Sequence, residues 1–263
     1  RGAPDRRRRS GSGVTSNWPD VLKLSGAYMA LLIGSGFATG QEAMQFFVVF
    51  GWKAYAIIVV TLLLLMYTAR SLMLAGRRHA IVTNEEAFRH FCGPILGVFL
   101  TWYTMIMIVA VTAVMLAGAA ATLDQAYEVP HYAGAGLMAL LVMVTLMLGL
   151  RRILEVMAII GPMLIVLTIV IASLSVGSNF DGLEHGASQV HELDVLKATP
   201  HWALAGFIYA GMVLPGVASL LPKVGSTVKN DNVITAVAIL GPLLIIGAMA
   251  IVITALLASI ETV

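Results

Sequence analysis

Gly34-Ser35-Gly36-Phe37-Ala38-Thr39-Gly40, followed at once by Gln41-Glu42, lies in the middle of an apolar run from about Leu24 to Phe50. The run is long enough to cross a bilayer, which takes about 20 apolar residues. Three glycines in seven residues weaken a helix by roughly 1 kcal/mol each relative to alanine. Ser35, Thr39, Gln41 and Glu42 add polar groups that are costly in hydrocarbon unless something pairs with them. Irregular backbone at membrane depth survives only where it is buried in protein or lines a cavity. Two readings follow. Either this is a discontinuous helix whose broken middle is a binding site, or Gly36 and Gly40 are a small-residue pair that lets two unbroken helices cross closely.

Composition narrows the class first. The chain has 263 residues, 59% of them hydrophobic and only 11% charged, with a mean hydropathy of +0.91. That balance excludes an ordinary soluble domain and points to an integral membrane protein. The single cysteine, Cys92, excludes an internal disulfide and leaves the redox compartment open. There is no initiator Met, and Val263 follows directly on a hydrophobic segment, so a fragment is expected.

Seven apolar spans can be marked: 24–50, 54–74, 95–123, 133–150, 153–176, 202–221 and 233–259. Each approaches or exceeds the roughly 18 residues that a membrane helix needs. With the N-terminus inside, 14 of the 16 Lys and Arg residues fall on the cytoplasmic side, leaving Lys53 and Lys197 outside. That asymmetry and the count of seven support each other. Trp52 and Trp202 then fall at outer boundaries, where an aromatic belt would place them. Residues 1–20, with Arg6 to Arg9 in a row, are expected to form a disordered basic cytoplasmic tail, and residues 21–263 the transmembrane domain. Such a run beside a first span sets orientation, and no nucleic-acid partner is expected. The apolar run is too long for a signal peptide, and no small-residue cleavage site follows it.

The connections are mostly short. Thr83-Asn84-Glu85-Glu86 before Ala87-Phe88 has the pattern of a capped, short amphipathic helix on the cytoplasmic surface. The longest, about Gly177 to His201, is external and is expected to be solvated. His185, His191 and His201 within it match no compact metal motif.

The sixth span decides between the two readings of Gly34 to Gly40. Gly211, followed four residues later by Pro215-Gly216, is expected to interrupt it near its centre, since proline removes a donor and clashes with the preceding turn. The first and sixth spans would then both be broken, run in opposite directions and stand five spans apart. Such pairing marks an inverted-repeat transporter with its site at the two breaks.

Here the sequence resembles a known group. Gly34-Ser35-Gly36-Phe37 is similar to the Gly-Ser-Gly-Ile/Phe signature in helix 1 of the amino acid–polyamine–organocation superfamily, which has the LeuT fold. Gly36 to Glu42, with Gln45-Phe46-Phe47 and Gly51 behind it, resembles the YkvI-type membrane proteins of that group. The resemblance covers about Leu24 to Ser259 and implies an all-α, multi-pass helical bundle, LeuT-like with an inverted repeat, here truncated after helix 7. Members carry two five-helix repeats and move amino acids or related solutes, driven by sodium or protons. Helices 8 to 10 are absent, and helix 8 in sodium-coupled relatives supplies part of one sodium site.

On these expectations the substrate-binding residues are Gly34, Ser35, Gly36, Phe37, Tyr209, Ala210 and Gly211. Amides freed around Ser35 to Phe37 would favour a carboxylate, and carbonyls freed around Ala210 and Gly211 an ammonium or a cation. Tyr209 either donates a hydrogen bond or packs in the bundle; Tyr103 reads as a packed aromatic. Ion coupling or gating falls to Ala38, Thr39, Gly40, Gln41, Glu42 and Pro215. A lone carboxylate at Glu42 either suits proton coupling, being costly as a charge in hydrocarbon, or sits hydrated near the outer interface. Gly161-Pro162 and Gly241-Pro242 read as kinks, Glu155 as an ion-pair partner of Arg151 or Arg152, and the fourteen methionines as adaptable packing.

The expected function is a secondary transporter, symporter or exchanger, of an amino acid or similar small zwitterion. The alternative is a transporter-like sensor or scaffold that binds without translocating. An enzyme is not expected: His-Glu-x-x-His, Gly-x-Ser-x-Gly and an intramembrane aspartate pair are all missing. No cofactor or metal is expected beyond Na+ or H+ as coupling ion. The partners are the lipid bilayer and an amino acid-like solute, and the resemblance implies a bacterial inner membrane.

Overall fold

Helix directions organise the molecule. The structure, a computed structural model, describes residues 18–33, 37, 40–178, 190 and 196–260. Its helices are α1 (Trp18–Leu32), α2 (Gln41–Phe46), α3 (Lys53–His79), α4 (Asn84–Tyr127), α5 (His131–Met147), α6 (Leu150–Ser178), α7 (Trp202–Thr227) and α8 (Asp231–Ala258), with a 3-10 turn at Val48–Phe50. No strand occurs among the described residues. Five helical segments there are long and apolar enough to cross a membrane: Lys53–His79, Asn84–Tyr127, Glu155–Gly177, Trp202–Thr227 and Asp231–Ala258. α5, also apolar, is shorter. Two separate shorter helices, α1 and α2, cover the stretch where the first span is expected.

Glycines set which helices touch. Gly206 of α7 lies beside Ile57 and Thr61 of α3. Further along the same pair, Gly225 meets the Met73 backbone and Gly76 meets the Pro222 backbone. α3 and α7 therefore run side by side in one direction. α1 and α6 are parallel too: a Cβ on Gly26 would come 2.7 Å from the Ala158 oxygen, and one on Gly161 2.5 Å from the Gly26 oxygen. Small residues allow this approach because no side chain separates the backbones.

α8 runs parallel to α1, with Gly241 against the Tyr28 ring and Leu256 near Gly40. It runs antiparallel to α3. Tyr55 Oη and Thr254 Oγ1 lie 2.9 Å apart at one end, and Arg77 and Arg78 bind the Asp231 carboxylate at the other. Thus α1, α6 and α8 point one way and α3 and α7 the other, the alternation that the basic-residue count expects. The core lies among α1, α3, α7 and α8, where Tyr28, Ile57, Met73, Tyr209, Ile234 and Met249 are fully buried. α4 and α5 form a hairpin, Gly134 against Ala120, whose apolar side chains are mostly exposed.

Several boundaries differ from the sequence expectation. α1 begins at Trp18, so the last three residues of the expected tail are helical; Pro19 suits a first helical turn, and Asp20 its positive end. α3 continues past residue 74 to Arg77, Arg78 and His79, cations that favour a helix C-terminus. α4 joins two helices across a kink at Gly93, so the expected short surface helix, 84–92, stands apart from the span that follows it. Thr83 Oγ1 accepts from the Glu86 amide and Glu86 reaches back to the Thr83 amide, and the chain then turns at Gly93 (φ 80°) before Pro94. The capped start is therefore as expected, and backbone donors at Val82 and Thr83 hold the Glu86 carboxyl below its usual range. Pro162 and Pro242 sit inside continuous helices, α6 and α8.

The largest correction concerns the sixth span. α7 runs unbroken from Trp202 through Gly211 and Pro215 to Thr227. Proline within a helix forfeits one hydrogen bond, here to the Gly211 carbonyl, and neighbouring helices and Ser/Thr side chains can make up for it. Here the packing is that of Leu31 of α1 against Gly216, while Ser219 Oγ donates at 2.7 Å to the carbonyl of Pro215 itself and not to that of Gly211. Packing overrides the local breaker.

Candidate functional site

The break of the first span is present. α1 ends at Leu32 and α2 starts at Gln41, with Gly40 in the left-handed region (φ 75°, ψ −2°) as the residue before α2. A side chain at that φ is strained, which explains glycine there. Phe37, between α1 and α2 and itself helical, is buried at 6% exposure, and the Gly40 amide donates to its carbonyl at 3.2 Å. Gly34, Ser35, Gly36, Ala38 and Thr39 lie outside the described residues.

One polar contact joins the break to the sixth span. The Tyr209 hydroxyl of α7 donates to Glu42 Oε2 of α2 at 3.2 Å. Tyr209 is 2% exposed, and Phe46 and Phe47 meet its ring edge-to-face with centroids 5.4 and 5.2 Å away. Two phenylalanine rings therefore fix the phenol, and its hydroxyl gives a half-buried carboxylate the partner that hydrocarbon withholds. Of the two sequence readings for Tyr209, both hold: it packs and it donates.

The other expected residues separate. Ala210 is half-buried, whereas Gly211 is exposed, two residues on from Tyr209 and so on nearly the opposite face of α7. A Cβ there would meet nothing within 4 Å. Since α7 is continuous, the expected break carbonyls stay in the helical ladder, except that Pro215 cannot donate to Gly211. Pro215 is buried, Gln41 is exposed, and Tyr103 is 44% exposed instead of packed.

Two features escaped sequence reading. The segment before α7 is not wholly solvated, for Val190 is fully buried and Thr199 is 5% exposed. The Ala198 amide donates to the Gln45 carbonyl at 3.2 Å, tying that segment to α2. Nothing short of pairing information would have revealed it. At the same end Lys53 Nζ lies 6.0 Å from the Trp202 ring centroid and Trp52 stacks on Tyr55, an aromatic rim of the expected kind. Glu155 pairs with Lys23 of α1 at 3.6 Å; the side chain of Arg151, which the sequence suggested as a partner, lies outside the described residues. Among the described residues no group of three or more His, Cys, Asp or Glu side chains could hold a metal ion.

No family model matches the chain, and no solved structure matches it. The chain is 24% identical over 221 residues to YkvI of Bacillus subtilis (strain 168), described as an uncharacterized membrane protein, covering 83% of this chain and 61% of that one. It is 26% identical over 148 residues to the uncharacterized protein YyaD of the same strain, covering 56% of this chain and 43% of that one. The chain thus spans less than two thirds of the length of these curated relatives. Membrane-length helices and similarity to a membrane protein together identify a helical integral membrane protein.

Proposed function

We propose that this chain forms the substrate-binding part of a LeuT-like secondary transporter for an amino acid or similar small zwitterion, coupled to sodium or protons. The observation that carries the proposal is the Tyr209–Glu42 hydrogen bond, which places a carboxylate and a buried phenol beside a broken membrane helix. Glu42 Oε2 takes the phenol, and Oε1 is left to accept from a substrate ammonium or to carry the coupling proton. This moves the ammonium partner from the expected α7 carbonyls, of which only that of Gly211, on the exposed face, lacks its helical donor, to the α2 carboxylate. Gly34, Ser35 and Gly36 supply the remaining contacts, with Ala38, Thr39, Gly40 and Gln41 in gating.

Helix pairing also supports an inverted repeat. If the first span corresponds to the sixth and the second to the seventh, the α3–α7 pair corresponds to the α8–α1 pair. Both pairs are parallel.

A melting-temperature screen of the intact protein against amino acids, with and without sodium, tests the proposal. A ligand at 100 times its Kd stabilises by about 2.7 kcal/mol, so a responsive subset is expected to raise the melting temperature and to do so less in Tyr209→Phe. Counterflow in proteoliposomes then separates a carrier from a sensor that only binds. A flat response to every amino acid in both media would contradict the proposal.

Orientation belongs to the same proposal: the end bearing Arg77, Arg78 and Asp231 faces the cytoplasm and the Trp52–Trp202 end faces outside. In a Cys92→Ser background, cysteine at Leu196 is expected to react with impermeant maleimide in intact cells and cysteine at Arg78 to remain unlabelled. The reverse pattern would invert the topology.

A further inference from the structure

A groove of about 560 Å³ runs along the outside of α1, α6 and α8, apart from the Glu42–Tyr209 site, and it is lined by Leu22, Lys23, Ser25, Met29, Glu155, Ala158, Ile159, Pro162 and Leu244. Its polarity is graded. At one end stands the Lys23–Glu155 pair, both side chains about half exposed. Arg152 lies one turn beyond Glu155 on the face of α6 that carries Ile159, exposed and without a partner among the described residues. Two residues further along α1 comes Ser25, 1% exposed, whose hydroxyl has no partner among the described residues. Beyond it the walls are apolar: Met29, Ile159, Pro162 and Leu244.

We propose that this groove seats one phospholipid with an anionic headgroup. The phosphate lies at Lys23 and Arg152, the glycerol ester oxygens near Ser25, and an acyl chain along Met29, Ile159, Pro162 and Leu244. Charge, hydrogen-bond donor and apolar wall follow one another in the order of phosphate, ester and hydrocarbon in a glycerolipid. The length agrees as well. Arg152 to Pro162 is ten residues of helix, about 15 Å, and one leaflet is half of a hydrocarbon core of about 30 Å. The groove opens sideways, with Leu22 57% and Ile159 71% exposed, so hydrocarbon and not water reaches its apolar part. Basic pockets between membrane helices are a known setting for anionic headgroups. The Lys23–Glu155 pair leaves an excess positive charge once Arg152 is counted, which favours an anionic headgroup over a zwitterionic one.

The test titrates phosphatidylglycerol into the detergent-solubilised intact protein and follows melting temperature and lipid retention by native mass spectrometry. Three variants are compared: Lys23→Gln/Arg152→Gln, Lys223→Gln/Lys229→Gln as an equal charge loss at the same end of the molecule, and Lys23→Arg. At about 1 kcal/mol per basic residue the groove pair is expected to raise the half-saturating lipid concentration roughly tenfold or more. The other pair is expected to leave it within about twofold, and Lys23→Arg to keep wild-type binding, which guards against a folding artefact. Equal loss in both double variants would reduce the effect to surface attraction and overturn the proposal. So would equal stabilisation by phosphatidylcholine, or by glycerol 3-phosphate without chains, the latter marking a free-phosphate site.

Discussion

Gly76→Ala and Gly225→Ala are each expected to lower the melting temperature of the solubilised protein by about 5 °C or more, while Gly211→Ala and Gly247→Ala leave it unchanged or raise it. A Cβ on Gly76 would overlap the Pro222 carbonyl and one on Gly225 the Met73 carbonyl, both backbone atoms that cannot rotate away. Relief requires α3 and α7 to separate along the whole of their parallel contact, which loosens Leu65, Met73, Leu221 and Val224 together. Overpacking of this kind costs roughly 1–3 kcal/mol, occasionally more, and at about 2–4 °C per kcal/mol for a chain of this size the shift is readily measured. Gly211 and Gly247 have the same helical backbone but open space where a Cβ would go. There alanine gains about 1 kcal/mol of helix propensity and meets no obstacle. Scanning calorimetry distinguishes the two sets, and equal shifts across all four would mean that α3 and α7 do not meet at these glycines.

The same glycines show what a sequence can and cannot disclose. The break of the first span was legible because Gly34, Gly36 and Gly40 coincide with Ser35, Thr39, Gln41 and Glu42, and no helix in hydrocarbon carries that combination without a reason. Thr83 and Glu86 announced their cap because a capping box is a contact within four residues. Helix directions were legible from Lys and Arg, whose placement follows the membrane and not the neighbours. The fate of Pro215 was not, since whether proline breaks a helix depends on what packs beside it, here Leu31 against the adjoining Gly216. For the same reason Tyr209 and Glu42 could be singled out separately, but 167 positions of chain separate them and only the fold brings phenol to carboxylate. Lys23 as a partner of Glu155 was hidden likewise, because it lies across a helix pair that local spacing cannot reveal.

The Glu42–Tyr209 contact also carries the largest expected functional effect. Hydrogen bonds to a charged group contribute about 1.5–3 kcal/mol, so removing the carboxylate charge is expected to weaken substrate affinity roughly tenfold to a hundredfold. Tyr209→Phe keeps the ring between Phe46 and Phe47 and removes the hydroxyl alone, so its fold should persist while Glu42 loses its described partner. Its expected effect on affinity is in the same direction and smaller, because the carboxylate remains.

The most direct measurement is therefore uptake into proteoliposomes by wild type and Glu42→Gln, followed from about pH 5 to pH 9 with the ligand that the melting screen identifies. The glutamine side chain preserves shape and hydrogen bonding but neither carries the negative charge nor exchanges a proton at pH values in this range. If Glu42 is the ammonium partner or the coupling group, the variant binds at least tenfold more weakly and its residual uptake no longer follows the wild-type pH profile. An intact Glu42→Gln protein with wild-type affinity and the wild-type pH profile would contradict a site at the broken first span.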